Sequence, residues 1–321
     1  MPPVGTDLRR PSLGFILPAS LQEESSFQPS ATSGATPGTA AALSDLCRRA
    51  EATGADSLWA VDHLFWPHPI NECMTTLAIA ATSTRRVTLG TCVLQLPLRQ
   101  PVEVAKQATA LQLLSGGRVI LGLGVGSHAG EYERAGVDFH QRGRLMNEGI
   151  AAMREAWTDG DHRYIQDPPS ARVPLWIGGS SVAARRRAAT VGDGWVPLFI
   201  AVDDYGAALQ TLRQETVGAG RRADAVEAAV VVFVRVGTEG EAHQQGAEWL
   251  SNLYGVPAKA FDRYLVAGPS EACAAELAKF VAAGAQHVVV MVAGNDAVQQ
   301  FGYLRSAFMA HTHDAIAGAV R

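Results

Sequence analysis

Short apolar runs alternate along the chain with longer segments in which apolar residues recur at the spacing of a helix. Short runs bounded by glycine, proline or polar residues are typical of strands that are covered on both faces. The longer spacing is typical of helices with one apolar side. The pattern predicts strands over 13–17, 57–61, 86–93, 119–123, 173–177, 195–198, 229–236 and 287–292.

Helices are predicted between these strands, and local signals indicate some of their ends. Pro101 suits the first turn of a helix, and Gly54 suits the residue that ends one. The predicted helices cover 39–53, 72–82, 101–114, 141–158, 205–217, 241–254, 271–283 and 297–317, and a further helix ends at Val191.

The order of strand then helix recurs eight times, which calls for parallel strands joined by helical crossovers. In a chain of 321 residues this fits a (β/α)8 barrel better than an open sheet. No internal repeat or long linker divides the chain, so we predict one barrel domain over residues 1–321. The long segments 18–38 and 124–140 each follow a strand, which would place both at the C-terminal mouth of the barrel, where active sites lie.

Composition narrows the class of protein further. Apolar residues make up 47% of the chain, enough for a large core, and the net charge of −4 argues against nucleic acid as a partner. The four cysteines form no Cys-x-x-Cys motif, which is typical of a reduced cytosolic protein without structural zinc. No apolar run is long enough to span a membrane. We therefore expect a soluble cytoplasmic protein.

A glycine-rich segment follows the fourth predicted strand. Gly122, Gly124 and Gly126 allow the backbone to approach a bulky or anionic group closely. Their spacing fits the dinucleotide-binding fingerprint poorly, because the third glycine of that motif would fall on Ser127 or Ala129. The segment is therefore either a ligand-binding loop or a tight turn packed against its neighbour.

Asp62 and His63 come directly after the second strand and would point into the mouth of the barrel. A histidine there can exchange protons near neutral pH, and a neighbouring carboxylate can bias its charge. The alternative is that Asp62 caps the loop and His63 is a packing residue. The flanking Trp59, Phe65 and Trp66 would either line a pocket for a flat ligand or belong to the core.

A second candidate loop, Gly178, Gly179, Ser180 and Ser181, opens a helix directly after the fifth strand. The N–H groups and the dipole at such a helix end favour a phosphate, whereas an ordinary serine N-cap would give the same sequence. No His, Asp, Glu or Cys set has the spacing of a metal site, so we predict no metal. The absence of a Gly-x-Ser-x-Gly motif disfavours a serine hydrolase.

Taken in order, several segments resemble the luciferase-like monooxygenase superfamily. They are 55–64, 87–94, 114–126, 139–148, 174–180 with 192–195, and 284–292. The similarity covers nearly the whole chain, and the ordered series is more specific than any one motif. It implies a (β/α)8 barrel, an oxidoreductase acting on a small organic molecule, and a homodimer.

The Trp-x-x-Asp-His pattern at 59–63 resembles the branch that uses the deazaflavin coenzyme F420 instead of FMN. This implies that Asp62 and His63 face the reactive centre of the ring. It also implies that the strand end at Thr91 leads into a non-proline cis peptide, Cys92–Val93, that backs the ring. The residues expected to hold the tail phosphate are Val125, Gly126, Ser127, Gly178, Gly179 and Ser180, and those expected to line the substrate pocket are Trp66, His128 and Trp195.

Three functions are compatible with the sequence. In the first, an F420-dependent oxidoreductase, His63 gives or takes the substrate proton and Asp62 tunes it. In the second, the barrel is an FMNH2-dependent monooxygenase in which His63 assists oxygen activation, and in the third it binds a cofactor without turnover. We expect the first. The related sugar-phosphate dehydrogenases carry a glutamate where this chain has Ser127 or His128, so we expect no activity on glucose 6-phosphate.

Overall fold

The structure, a computed structural model, describes residues 10–18, 39–158 and 172–319, with side chains up to residue 312 in the last range. The strands in these ranges are β1 (Ser12–Ile16), β2 (Ser57–Ala60), β3 (Thr88–Thr91), β4 (Leu94–Gln95), β5 (Val119–Gly124), β6 (Leu175–Gly178), β7 (Gly194–Val196), β8 (Glu227–Val236), β9 (Leu265–Gly268) and β10 (His287–Val292).

Eight of these strands close into a barrel. Each pairs in parallel with its neighbours in the order β1, β2, β3, β5, β6, β7, β8, β10, and β10 returns to β1. In the closing pairs, Val288 of β10 is opposite both Leu13 and Val230. β4 pairs with the end of β5, and β9 pairs with the end of β8. The predicted (β/α)8 barrel is confirmed.

Helices connect the strands on the outside of the barrel. They are α1 (Ala40–Ala52), α2 (Cys73–Ser83), α3 (Pro101–Leu114), α4 (Ala129–Arg134), α5 (Arg142–Thr158), α6 (Val182–Val191), α7 (Val202–Gly218), α8 (Glu241–Tyr254), α9 (Ser270–Ala282) and α10 (Ala297–Ala319), with 3₁₀ turns at Leu96–Leu98, Phe139–Gln141 and Ala258–Phe261. None of the helices in the described ranges has both the length and the apolar character that a membrane span requires.

Every strand and helix predicted from the sequence is present, with ends within about three residues of the predicted ones. Three elements were not predicted: β4, β9 and α4. Each has six residues or fewer, too short for a periodic pattern to show. The loop predicted over 124–140 therefore contains a helix, and the loop predicted over 18–38 lies outside the described residues from position 19 onward.

Two aromatic residues fill the axis of the barrel. Successive strand residues face the helices and the axis in turn. Trp59 and Trp176 both face the axis, with ring centroids 5.3 Å apart. A Cβ atom on Gly90 would lie 2.2 Å from the Trp59 ring, so only glycine leaves room for it. Trp59 is therefore a core residue and not part of a ligand pocket.

Polar side chains close the N-terminal end of the barrel. His287 Nδ1 lies 2.7 Å from Ser12 Oγ, and His287 Nε2 lies 2.9 Å from Glu227 Oε2. These residues begin β10, β1 and β8. The residues predicted to act chemically follow the strands at the opposite, C-terminal end.

Candidate active site

His63 and Glu131 form a hydrogen-bonded pair at the C-terminal end of the barrel. His63 follows β2, and Glu131 lies on α4, the short helix after β5. Nδ1 of His63 lies 2.8 Å from Oε2 of Glu131. The histidine side chain is 23% exposed, whereas the glutamate side chain is fully buried. The imidazole is therefore accessible to a ligand, and its carboxylate partner is not.

Glu131 is held by other donors besides His63. The backbone N–H groups of Leu64 and Phe65 donate to Oε1 over 2.9 and 3.2 Å, and Nε2 of Gln95 donates to both oxygens over 3.3–3.4 Å. Burial raises the pKa of Glu131, but the hydrogen bond and charge of His63, with the other donors, outweigh it and lower the pKa below its usual value. Glu131 is therefore an ionised carboxylate at neutral pH.

An ionised Glu131 determines which nitrogen of His63 carries a hydrogen. A deprotonated carboxylate only accepts hydrogen bonds, so the hydrogen lies on Nδ1, which faces it. The other ring nitrogen, Nε2, is then available to exchange a proton with a bound molecule. Trp66 packs on the imidazole with ring centroids 4.0 Å apart. The pair is arranged as a general acid or base with an orienting carboxylate.

Asp62 has a different role from the one expected. Its side chain is 1% exposed. Oδ2 accepts a hydrogen bond from the backbone N–H of Gln95 over 2.9 Å, and Oδ1 accepts one from Nη2 of Arg99 over 2.5 Å. Both oxygens are thus engaged by groups other than His63. The expectations that Asp62 tunes His63 and contacts the cofactor are corrected: Asp62 joins the chain after β2 to the chain after β3.

Arg99 neutralises a small acidic group beside Asp62. Asp62, Glu72 and Cys73 each bring one oxygen or sulfur atom within 4.8 Å of the others, a spacing that a metal ion could occupy. However, the guanidinium of Arg99 lies 2.5 Å from Asp62 and 3.5 Å from Glu72. Burial lowers the pKa of Arg99, but the charge of Asp62 outweighs it and raises the pKa above its usual value. We therefore interpret the group as a partly buried ion-pair cluster.

The chain turns at Cys92 and Val93, between β3 and β4. The bond between them is a cis peptide, as the resemblance implied. Both residues are partly exposed, but the thiol of Cys92 is buried, and this burial raises its pKa to about 12, so the thiol keeps its proton. Thr91 is fully buried, and its hydroxyl donates to the carbonyl of Gly122 over 2.7 Å. The expectation that Thr91 contacts the cofactor is corrected, because its side chain joins β3 to β5.

Glycines in β5 and β6 make room for Val93. A Cβ atom on Gly124 would lie 2.3 Å from Cγ2 of Val93, and one on Gly178 would lie 2.7 Å from Cγ1. A Cβ atom on Gly122 would lie 2.0 Å from the carbonyl oxygen of Thr91. The bulky group that these glycines admit is the protein's own turn after β3. For Gly122 and Gly124, the structure therefore supports the tightly packed turn over the ligand-binding loop.

Gly126 and Ser127 lie further along, on the rim of the mouth. Gly126 has a φ of +65°, and a Cβ atom there would lie 1.9 Å from Oε1 of Gln95. Nε2 of the same Gln95 lies 3.2 Å from Nδ1 of His63. Gln95 thus stands between the glycine loop and the histidine. Ser127 is exposed, and Val125 before it is partly exposed.

The turn between β6 and α6 is partly open. Gly179 has a φ of +104° and is partly exposed, as is Gly178, and Ser180 is exposed. Ser181 is the N-cap of α6, and its Oγ accepts a hydrogen bond from the backbone N–H of Ala184 over 3.2 Å. The ordinary serine cap is therefore present at Ser181. It leaves the three preceding residues as the accessible part of the turn.

Two of the three expected pocket residues lie beside His63. Trp66 packs on its ring, and the ring of His128 lies edge-on to Trp66 with centroids 5.7 Å apart. Trp195, in contrast, is fully buried and stacks on Tyr205 of α7 with centroids 5.7 Å apart. The expectation that Trp195 lines the substrate pocket is wrong, because its side chain faces the helix layer.

Glu131 and Gln95 contact His63 but were not predicted from the sequence. Both lie in segments without a clear periodic pattern, and neither is next to His63 in the chain. One signal was available for the glutamate. The related sugar-phosphate dehydrogenases carry a glutamate at the position of Ser127 or His128, and the first glutamate after that position in this chain is Glu131.

The model of the luciferase-like monooxygenase family matches residues 24–250. This match covers more than half of the chain, and the protein therefore belongs to the luciferase-like monooxygenase family.

Among curated relatives, proteins from three organisms carry the name F420-dependent glucose-6-phosphate dehydrogenase, and two of them illustrate the similarity. The one from Amycolatopsis mediterranei is 33% identical over 167 residues, which cover 46% of this chain and 50% of that protein. The one from Nakamurella multipartita is 30% identical over 235 residues, which cover 66% of this chain and 68% of that protein. The chain thus spans about half to two thirds of the length of these relatives.

Among solved structures, two illustrate the similarity in fold. An F420-dependent secondary alcohol dehydrogenase in complex with an F420–acetone adduct has a TM-score of 0.78 and 20% identity, and the match covers 94% of this chain and 99% of that one. Monooxygenase RslO1 from Streptomyces bottropensis has a TM-score of 0.74 and 17% identity, with the same coverage. Both confirm the barrel.

Proposed function

We propose that this protein is an F420-dependent oxidoreductase that moves a hydride between the deazaflavin and a small organic substrate. The observation that carries the proposal is the pair of accessible His63 and buried, ionised Glu131 at the mouth of the barrel. The names of the two curated relatives described above support the choice of cofactor.

The residues at the mouth fit a planar cofactor with an anionic tail. Cys92 and Val93 offer a neutral, partly exposed surface, and Gly124 and Gly178 carry no side chain that would cover it. The exposed residues Ser127, after β5, and Ser180, after β6, offer hydroxyl and backbone N–H groups, which suit a phosphate. In this proposal Cys92 and Val93 would support the ring of the cofactor, and the residues that would hold its tail are Val125, Gly126, Ser127, Gly178, Gly179 and Ser180.

When bound, the deazaflavin supplies the hydride acceptor or donor. The chain's own contribution is the proton. Nε2 of His63 takes the proton of a substrate hydroxyl, or returns it to a carbonyl oxygen, while Glu131 holds the ring and stabilises the imidazolium. Trp66 keeps the imidazole in place by packing on its face.

Titration of the cofactor-free protein with F420 and with FMN tests the cofactor. We expect F420 to bind and FMN to bind far more weakly. Tight binding of FMN without binding of F420 would overturn the choice of F420.

Replacement of His63 tests the proton step. In His63→Ala we expect F420 affinity to be kept and turnover to fall by about 10²–10⁴-fold, as for the loss of a general acid or base. His140→Ala, which changes an exposed histidine outside the site, is the matched control. Unchanged turnover in His63→Ala would contradict the role of His63.

An FMNH2-dependent monooxygenase is the second candidate function. It is favoured by the similarity in fold to monooxygenase RslO1, and it would use the same His63 to assist oxygen activation. Oxygen consumption that depends on reduced FMN would support it over the first. Cofactor binding without turnover, and without any effect of His63→Ala on a panel of substrates, would instead indicate a barrel that only binds cofactor.

The substrate and assembly are further expectations. Ser127 and His128 stand where the resembling sugar-phosphate dehydrogenases carry a glutamate, so we expect no turnover of glucose 6-phosphate. A homodimer and a cytoplasmic location stay predictions from the sequence, to be checked by light scattering and by fractionation of cells.

A further inference from the structure

A group of aromatic side chains, which we call the aromatic wall, extends from His63 along one side of the mouth. It consists of Trp66, Phe199, Phe233, Tyr254, Phe261 and Tyr264. Trp66 lies against His63, and the ring of Tyr254 lies edge-on to Trp66 with centroids 5.9 Å apart. Phe199 follows, with its centroid 5.6 Å from that of Tyr254. The wall is therefore a continuous aromatic cluster that begins at His63, and its partly or fully exposed members are Trp66, Phe199, Tyr254 and Tyr264, with Phe233 and Phe261 buried behind them.

Phe199 is the solvent-facing part of the wall. Its ring contacts Phe233 at 5.4 Å and Tyr264 at 5.6 Å between centroids, and yet the residue is 37% exposed. Its φ of +56° lies in the left-handed region, which residues other than glycine rarely adopt. The chain thus holds a large ring at the mouth in a conformation that suits a smaller residue. Backbone strain of this kind is typical of a ligand-binding position.

The wall carries no charge. Burial raises the pKa of Tyr254 above its usual range, so the phenol keeps its proton. The buried carboxylates nearby are already paired, Asp62 with Arg99 and Glu131 with His63. A charged substrate would find no free opposite charge among these groups, so the surface favours an uncharged one.

A hydrogen bond joins the wall to the loop that carries His63. Nε2 of His68 lies 3.0 Å from the carbonyl oxygen of Asn252. This contact connects the loop after β2 to the last turn of α8, where Tyr254 lies. The loop that carries His63 is therefore in direct contact with the helix that carries Tyr254.

We propose that the aromatic wall binds the substrate, and that the substrate carries an aromatic or alicyclic group next to its alcohol or carbonyl carbon. The inference rests on the proposed function, since it takes His63 as the proton-exchanging group. In the oxidising direction, the alcohol loses a hydride from carbon to the oxidised deazaflavin and its hydroxyl proton to His63, and it becomes the ketone. The reducing direction reverses both transfers.

The first test measures binding to the cofactor-free protein by saturation-transfer NMR, with acetophenone, acetone and glucose 6-phosphate as probes. We expect acetophenone to bind at least about tenfold more tightly than acetone, because its ring buries apolar surface on the wall. Phe199→Ala and Tyr254→Ala should each weaken acetophenone binding about fivefold to tenfold. Tyr254→Phe keeps the ring and should change binding less than about twofold, as should Val217→Ala, an exposed apolar control on α7.

Thermal unfolding shows whether each variant is folded, and Phe199→Leu replaces Phe199→Ala if the latter is not. Equal binding of acetone and acetophenone would overturn the proposal, as would unchanged acetophenone binding in the Phe199 and Tyr254 variants. Tighter binding of glucose 6-phosphate than of acetophenone would also overturn it, because an uncharged aromatic wall offers nothing that favours a phosphate over an aromatic ring.

The second test measures turnover of 1-phenylethanol and 2-propanol with F420. A higher kcat/KM for 1-phenylethanol, lowered in Phe199→Ala, would support the wall as the substrate site. Equal kcat/KM values would support the proposed function and refute the wall. Acetophenone binding that depends on the wall, without turnover of either alcohol, would support the wall as a binding surface and contradict the proposed function.

Discussion

At the scale of single residues, the mouth contains two buried carboxylates, Asp62 and Glu131, that have different roles. Asp62 is engaged in structural contacts with Gln95 and Arg99, whereas Glu131 pairs with the partly exposed imidazole of His63. Burial alone would raise the pKa of Glu131, and the hydrogen bonds from His63, Phe65 and Gln95 keep it ionised. The pair that can move a proton is therefore His63 with Glu131, and Asp62 supports it indirectly through Gln95.

Replacing Glu131 separates orientation from the proton transfer itself. In Glu131→Gln we expect turnover to fall about 10–100-fold with cofactor affinity nearly unchanged, because a neutral amide orients Nδ1 of His63 less firmly than a carboxylate and stabilises the imidazolium less. Glu133→Gln, on the exposed side of the same helix, is the control. The double variant with His63→Ala should be no slower than His63→Ala alone. Losses that simply multiply would show that Glu131 does not act through His63.

The lowered pKa of Glu131 also predicts an acid-dependent stability. Because its pKa is lower in the folded state, the ionised group stabilises the fold fully above its ordinary value of 4.5, and this contribution is lost as the pH falls through the folded-state value. Urea unfolding should therefore show the wild type about 1–3 kcal/mol more stable than Glu131→Gln at pH 7. The difference should shrink below about pH 4.5. A difference that stays constant down to pH 3 would contradict this assignment.

Single residues were predicted unevenly from the sequence, for a physical reason. His63 was found because a histidine directly after a strand is conspicuous. Its partner Glu131 lies 68 positions away, and no local pattern reports a contact at that distance. Trp195 was misplaced because its neighbours in β7 are buried as well, so no alternation of polar and apolar residues shows which face the indole takes.

At the scale of elements, β5 and β6 are shaped by the turn that follows β3. Gly124 and Gly178 have no Cβ because Val93 occupies that space. The glycines thus position the surface on which the proposed cofactor rests, although they need not touch the cofactor. This explains why a glycine-rich segment with a poor dinucleotide fingerprint is present at the mouth.

Adding one methyl group to β5 tests this packing. In Gly124→Ala the new Cβ would lie 2.3 Å from Val93, so we expect a loss of about 1–3 kcal/mol in unfolding free energy and weaker F420 binding. Gly218→Ala is the control, because nothing lies within 4 Å of its added Cβ. Gly124→Ala combined with Val93→Ala should recover part of the stability. No recovery in the double variant would show that Val93 is not the obstacle.

Elements were predicted well where they are long and apolar. The eight barrel strands could be recognised because buried parallel strands are nearly continuous apolar runs. The short β9 and α4 could not, since their few residues carry no period, and α4 contributes Glu131. The expectation that Thr91 contacts the cofactor was wrong because of the way its strand packs. Thr91 shares a strand face with Leu89, which packs in the core, so its side chain is turned away from the mouth.

At the scale of the whole molecule, closure of the barrel brings together the C-terminal ends of strands that are far apart in sequence. The site draws on the segments after β2, β3, β5 and β6, and the aromatic wall adds those after β7 and β8. The closed ring could be predicted from the count of strand and helix units. The contacts between loops could not, because they depend on side-chain shape after closure.

A ligand that bridges these strand ends should stabilise the entire barrel. By mass action, F420 at about one hundred times its Kd adds about 2.7 kcal/mol to the unfolding free energy. For a chain of 321 residues that corresponds to a rise in Tm of about 4 °C. FMN at the same concentration should raise Tm little. His63→Ala should keep the F420 shift, because the histidine acts on the substrate, whereas Gly124→Ala should reduce it, because the displaced Val93 alters the cofactor surface. An F420 shift that is lost in His63→Ala but intact in Gly124→Ala would place the cofactor elsewhere in the mouth.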